Sequence, residues 1–290
     1  MKTRRACLKV GDSLVKESNL EKLPIEVDAI LFKTLLSEGE TERALEVSKE
    51  ILDNSRNLND RDYVAEAWIR MERALLGAKA NENIGEELRW CVDRLSSVAP
   101  GSELHGLALL NLASWHNNNA EQIMALVTLS DISASSGHPN EVIGLARLES
   151  GRILSQMGDL EPSMRHLWIA MRRLSSAGME AESFVSAMEW LDIALDDVSG
   201  TSPRMDDRIA NAKPRGAPGV TTSPSNPDDI REAVEKILAI ALRDLSGDSR
   251  DDLGLILDAS EVLGVDSWKQ SIEERVDEIQ DSRLIESFQL

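Results

Sequence analysis

Aromatic residues are scarce in this chain: Phe, Trp and Tyr make up 3% of its 290 residues, against an apolar fraction of 42%. A core with so few rings must be built from Leu, Ala, Ile, Val and Met, as helix-rich cores permit. Cysteine is nearly missing too. Cys7 and Cys91 lie far apart with no CxxC and no neighbouring His, which argues against a disulfide framework or structural zinc and suits a reducing compartment. Positive charge is in deficit, 32 Lys and Arg against 51 Asp and Glu, for a net charge of −19. A phosphate-binding surface needs the opposite balance, so nucleic acid is not an expected partner. No stretch approaches the roughly 18 apolar residues of a membrane span, and MKTRRACLKVGDSLVKE at the N-terminus has no apolar run behind its charges. Neither a membrane nor a secretory route is expected, and the expected location is cytoplasmic.

Sustained two-residue alternation is also absent, whereas apolar residues recur at the helical period throughout. The spacing predicts paired helices near Ile25–Ser37 and Thr41–Asn54, Asp62–Ala78 and Ile84–Val98, and Ser102–Asn117 and Ala120–Ser135. A fourth pair runs from Glu141 to Ser176, and a further helix spans Glu180–Val198. The clearest pair contains GRILSQMGDLEPSMRHLWIAM, Gly151 to Met171. Gly151 sits mid-helix, Gly158-Asp159 breaks the chain, and Ser163, Leu167 and Ala170 share one face of the second helix. Small residues placed so predict two helices in close contact. GETERALEVSKEIL repeats the pattern earlier, with Gly39 at the break and Ala44, Ser48 and Ile51 on one face; Ala113 opposite Ala125, Leu129 and Ile132 is a third instance.

These hairpins resemble the tetratricopeptide-repeat family, over roughly residues 25–198. Registering Ala44, Ala125 and Ser163 gives a spacing of about 40 residues, longer than the family's usual length of about 34. The family's Trp-Leu-Gly-Tyr signature is absent, and Ser175 stands where its turn proline belongs. The resemblance implies an all-α, right-handed α-solenoid of stacked hairpins, since a lone hairpin cannot bury its apolar face. It also implies a concave groove lined by the first helix of each pair. Leu110, Ser114, Asn117 and Asn118 fall there, with Leu148, Arg152, Ser155 and Gln156, and with Lys33 and Ser37 on the first repeat. Such a groove would grip a peptide through its amides and a carboxylate through Arg152 or Lys33.

Ser199–Asn226 holds four of the nine prolines and almost no apolar residues, so residues 199–226 are expected to form a disordered linker or insertion between the repeats of 1–198 and the helices of 227–290. Pro227-Asp228-Asp229 suits a helix start, with Ile230, Val234, Ile237, Leu238 and Ala241 on one stripe. Helices near Asp251–Leu263 and Ser267–Ser282 follow. These acidic helices either complete the array, partnering Glu180–Val198, or cap it.

Catalytic motifs are missing. Ser13-Leu14-Val15-Lys16 matches SxxK without its companion motifs. DLSGDSRDD, from Asp244, which includes Arg250, lacks the Gly a calcium loop needs and has Leu255 where it needs Glu. His105, His116, His138 and His166 share no ligand spacing, and no HExxH, GxGxxG or P-loop is present. No cofactor or metal is expected. The tryptophans Trp68, Trp90, Trp115, Trp168 and Trp190 either fill gaps between repeats or anchor a partner in the groove. The expected function is a non-catalytic scaffold or adaptor for a protein or peptide; the alternative is a regulatory domain that closes on a small molecule.

Overall fold

The computed structural model describes residues 22–76, 83–212, 223–247 and 250–288. Regular structure among them is helical, apart from one isolated bridge between Val198 and Ser225. The chain divides into two compact units, Met1–Pro139 and Asn140–Leu290.

The first unit holds α1 (Leu23–Ser37), α2 (Thr41–Asn57), α3 (Tyr63–Leu75), α4 (Ile84–Val98), α5 (Glu103–Asn118) and α6 (Gln122–Ser130), each packed on the next. Phe32, Leu35, Ala44, Val47 and Ile51 bury α1 against α2, and Ile69 of α3 joins them. Ala67, Met71, Leu88, Cys91, Leu95, Ala108 and Leu112 do the same for α3, α4 and α5. Glu66, in the first turn of α3, is fully buried, with Arg56, Arg61 and Arg70 around its carboxylate.

The second unit holds α7 (Asn140–Gln156), α8 (Leu160–Ser176), α9 (Glu180–Ala194), α10 (Met205–Ala210), α11 (Pro227–Ala241), α12 (Asp251–Leu263), α13 (Asp266–Glu273), a 3-10 turn at Val276–Glu278 and α14 (Ser282–Phe288). One core runs through it, from Leu148, Leu167 and Trp168 past Trp190 and Leu191 to Ile230, Val234, Ile256, Trp268 and Ile272. Trp168 and Trp190 meet at 4.8 Å between ring centroids. The α11 stripe thus lies on α9, in the core that α8 also shares.

The hairpin breaks share one hydrogen-bond pattern. Gly39, Gly158 and Gly178 take positive φ, from +75° to +78°. Each N–H bonds three residues back, to Leu36, Ser155 and Ser175, and the next N–H reaches five back, to Leu35, Leu154 and Leu174. This left-handed cap satisfies the last carbonyls of a helix and turns the chain. Ala120, at φ 60°, makes the same bonds to Asn117 and His116 without being glycine. It is therefore the turn, not the first residue of a helix. The expected helix at Ala120–Ser135 is shorter, and stops at Ser130. The turn that follows is held by Ser133, its hydroxyl meeting those of Ser135 and Ser136 at 2.9 and 2.8 Å. Likewise Ser267–Ser282 is not one helix but α13 and a 3-10 turn, with α14 beginning at Ser282.

The close contact expected at Gly151 is present. Ser163 Oγ on α8 donates to the Gly151 carbonyl at 2.7 Å, and Ser183 on α9 repeats this with Met171 at 2.8 Å. Cβ-less Gly151 leaves the space that Leu167 fills.

The disorder expected through Ser199–Asn226 does not hold for residues 199–212 or 223–226. Composition counts apolar residues, but this segment is fastened mainly by charge. Arg208, 7% exposed, pairs with Glu161, and Arg204 pairs with Asp229. Asp206 accepts from Trp168 Nε1 at 3.2 Å and from Arg172 at 2.7 Å. Met205 supplies one fully buried apolar side chain. Residues 213–222 lie outside the described residues. The division between compact units falls after Pro139 rather than at the linker, because α11 shares its core with α8 and α9.

Candidate functional site

On the second unit, an open depression of about 300 Å³ lies between α7 and α9. Arg152, Ser155 and Gln156 come from the C-terminal half of α7, Glu189, Asp192 and Ile193 from α9, with Leu167 at the floor. A second, of about 330 Å³, follows on the other side of Asp192, where Leu195, Leu255 and Val262 meet Asp196, Asp258 and Glu261. A third, of about 550 Å³, shares Asp258 and Glu261 and reaches Asp266 and Lys269. Their shared residues make them a run along one surface.

The electrostatics differ from those expected. Arg152 is not a free cation: its Nε donates to Glu189 at 2.8 Å and its NH1 to Glu149 at 2.8 Å. Bonding to Glu189 is the largest of the effects that hold its pKa above the ordinary arginine value. The guanidinium is spent on its own helices, so it cannot also serve as a carboxylate grip. By contrast Asp192, Asp196, Asp258 and Glu261 are exposed and form no ion pair among the described residues. The run of depressions is acidic.

The other expected groove residues are scattered. Leu148 is 3% exposed and belongs to the core, packed with α8 and α9; it cannot touch a partner. Gln156 is exposed and Ser155 half-buried, and both line the first depression. Lys33, Ser37, Leu110, Ser114, Asn117 and Asn118 belong to the first unit. Lys33 lies 5.6 Å over the Trp68 ring. Ser37 donates to the Thr34 carbonyl at 2.7 Å. Leu110 and Asn117 are half-buried, and Ser114 and Asn118 exposed. Glu189, Asp192, Ile193, Asp196, Asp258 and Glu261 were not anticipated. A signal existed in the i, i+4 pair Asp192/Asp196 and the i, i+3 pair Asp258/Glu261, each beside an exposed or half-exposed aliphatic residue.

The tryptophans divide. Trp168 and Trp190 are core, whereas Trp68, Trp90 and Trp115 are half-buried beneath Lys33, Arg70 and Arg89. Cys91 is buried, its thiol 3.3 Å from the Ala67 carbonyl. Burial, then Arg147 and Arg165, push His166 down to about 4, so its ring is neutral near pH 7. Arg250, in the DLSGDSRDD run, is buried and bonds Asp252 and the carbonyls of Ala241 and Asp244. Among the described residues no cluster of three His, Cys, Asp or Glu could hold a metal ion, and no helix is long and apolar enough to cross a membrane. Cys7, Ser13 and Lys16 lie outside the described residues.

No protein-family model and no curated protein matches this chain. Among solved structures it is similar to the crystal structure of BtubC (BKLC) from P. vanneervenii, at 12% identity over 95% of this chain and 90% of that one. The TM-score is 0.43, too low to carry an argument about fold or function.

Proposed function

We propose that this chain is a non-catalytic interaction scaffold, a right-handed array of stacked tetratricopeptide-like hairpins that holds an extended segment of a partner protein. The observation that carries this reading is the run of three shared depressions on the second unit. Each has aliphatic floor residues and a hydrogen-bonding or acidic rim, the composition that suits alternate side chains and the backbone of an extended peptide. Four carboxylates on the rim, with no ion pair among the described residues, favour a segment carrying Lys or Arg beside apolar anchors, rather than a carboxylate held by Arg152. The recurrent left-handed caps and the Ser163 and Ser183 contacts support a repeated hairpin. The net charge of −19 supports a protein rather than a nucleic-acid partner, and the proposed location is cytoplasmic.

Selection of a random peptide library on the intact chain tests this. Enriched peptides should carry basic residues, and Asp192→Lys with Asp258→Lys should weaken them about tenfold or more, as like charges meet across the contact. Enrichment of acidic sequences, or binding indifferent to both reversals, would overturn it.

A further inference from the structure

His105 and His138 form a buried pair in the first unit, apart from the proposed groove. His105 lies in the first turn of α5, its backbone N–H capped by Ser102 Oγ at 3.2 Å. His138 closes the segment that follows α6. The rings stack with centroids 5.2 Å apart and planes 24° from parallel, and His138 Nε2 lies 3.2 Å from His105 Nδ1.

The backbone settles where the protons are. An amide N–H can only donate, and that of Gly101 meets His105 Nδ1 at 3.3 Å, so this nitrogen carries no proton. His138 Nε2 must then be the donor to it. The Ser133 N–H in turn donates to His138 Nδ1 at 3.3 Å. Both rings are therefore neutral and protonated on Nε2, and the His138–His105 bond joins the start of α5 to residues 133–138, with one backbone N–H···N bond bracing each ring within its own segment. The two segments approach closely: Gly101 has φ +71°, and a Cβ there would lie 2.1 Å from the Ser136 carbonyl oxygen.

We propose that the His105–His138 pair is an acid-released clasp on residues 131–138, the segment through which the chain passes from the first unit to the second. A proton on His105 Nδ1 would point at two N–H groups, those of Gly101 and His138, and both bonds would be lost. His138 is not equivalent, because the Ser133 carbonyl lies 3.4 Å from its Nδ1 and would accept a proton there. His105 is the responding residue. Burial is the largest influence on it and favours the neutral ring, as does the charge His138 would carry; Asp131 opposes them. Glu103, on the same turn of α5, is exposed. The result is a His105 pKa below the ordinary 6.5. An opened His105 titrates near that ordinary value, so the open form takes up the proton first. The clasp is at full strength above pH 6.5 and is lost as pH falls from there through the folded-state pKa.

Amide hydrogen exchange on the intact chain, normalised to intrinsic rates, tests the clasp. Between pH 7.5 and 5.5, opening of residues 133–138 should rise by up to about tenfold, the limit set by one pH unit below the ordinary histidine pKa. Leu112 and Ala113, core residues of α5, should not follow. In His105→Gln the amide oxygen accepts from Gly101 and His138 without titrating, so the pH dependence should vanish. Nitrogen NMR of the labelled histidines in the unaltered chain, which needs no variant to fold, should show both Nδ1 atoms unprotonated at pH 7.5. A proton on either Nδ1, no rise in opening, the same rise in Leu112 and Ala113, or a rise that persists in His105→Gln would each overturn the proposal.

Discussion

An ideal Cβ on Gly151 would lie 2.7 Å from Leu167 Cγ, 2.8 Å from its Cδ2 and 3.4 Å from its backbone nitrogen. Leu167 is 1% exposed and packed in the core, so it must shift toward the depression it floors or the helices must part. Overpacking of this kind costs about 1–3 kcal/mol. Separation would also stretch the Ser163–Gly151 bond, worth about 1 kcal/mol. Helix propensity returns about 1 kcal/mol when Ala replaces Gly. The net loss is then about 1–3 kcal/mol for Gly151→Ala, and no less for Gly151→Leu, whose larger side chain meets the same neighbours. Gly254, on α12, is the control, because a Cβ there meets nothing within 4 Å. Gly254→Ala should stabilise, by up to about 1 kcal/mol. Urea unfolding followed by far-ultraviolet circular dichroism and tryptophan emission reads both. A Gly151→Leu chain as stable as the original, or more so, would refute the α7–α8 contact.

Ala120→Gly should stabilise by about 0.5–1 kcal/mol in the same assay, the left-handed strain of Ala outweighing the entropy of Gly. Glu66→Ala removes a buried acceptor from its arginine partners and should cost about 1.5–3 kcal/mol, whereas the surface change Glu278→Ala should have little effect. His166 is held neutral with its pKa at about 4, so the unfolded chain takes up the proton first. Stability should therefore fall as pH drops from about 6.5 toward 4, by at most about 1.4 kcal/mol per unit, and His166→Gln should remove that part of the slope. Trypsin should cleave slowly at Arg204, just before α10, and at Arg208 on it, both ion-paired, as a timed digest with mass spectrometry would show.

The helices were legible in the sequence because their apolar period is local, and the Gly breaks because glycine advertises a positive φ. Ala120 gives no such signal, so the expected helix begins at the residue that makes the turn. Residues 199–212 were hidden for a different reason. Their order rests on Arg204, Asp206 and Arg208 reaching Asp229, Trp168 and Glu161, partners that composition cannot pair. The site was least legible. Leu148 and Arg152 are one turn apart, about 40° around the helix, and that rotation separates the core from the depression. Which carboxylates would be left unpaired depended on three-dimensional pairing, so Asp192 and Asp258 looked like any other acids in an acidic chain.

Protection of backbone amides in the intact chain by a saturating selected peptide tests the central claim most directly. The account predicts slowed exchange confined to the helices that line the three depressions, the C-terminal half of α7, α9, α12, α13 and α14, lost at high salt and in Asp192→Lys with Asp258→Lys. A footprint on other helices, or one unmoved by charge reversal, would contradict it.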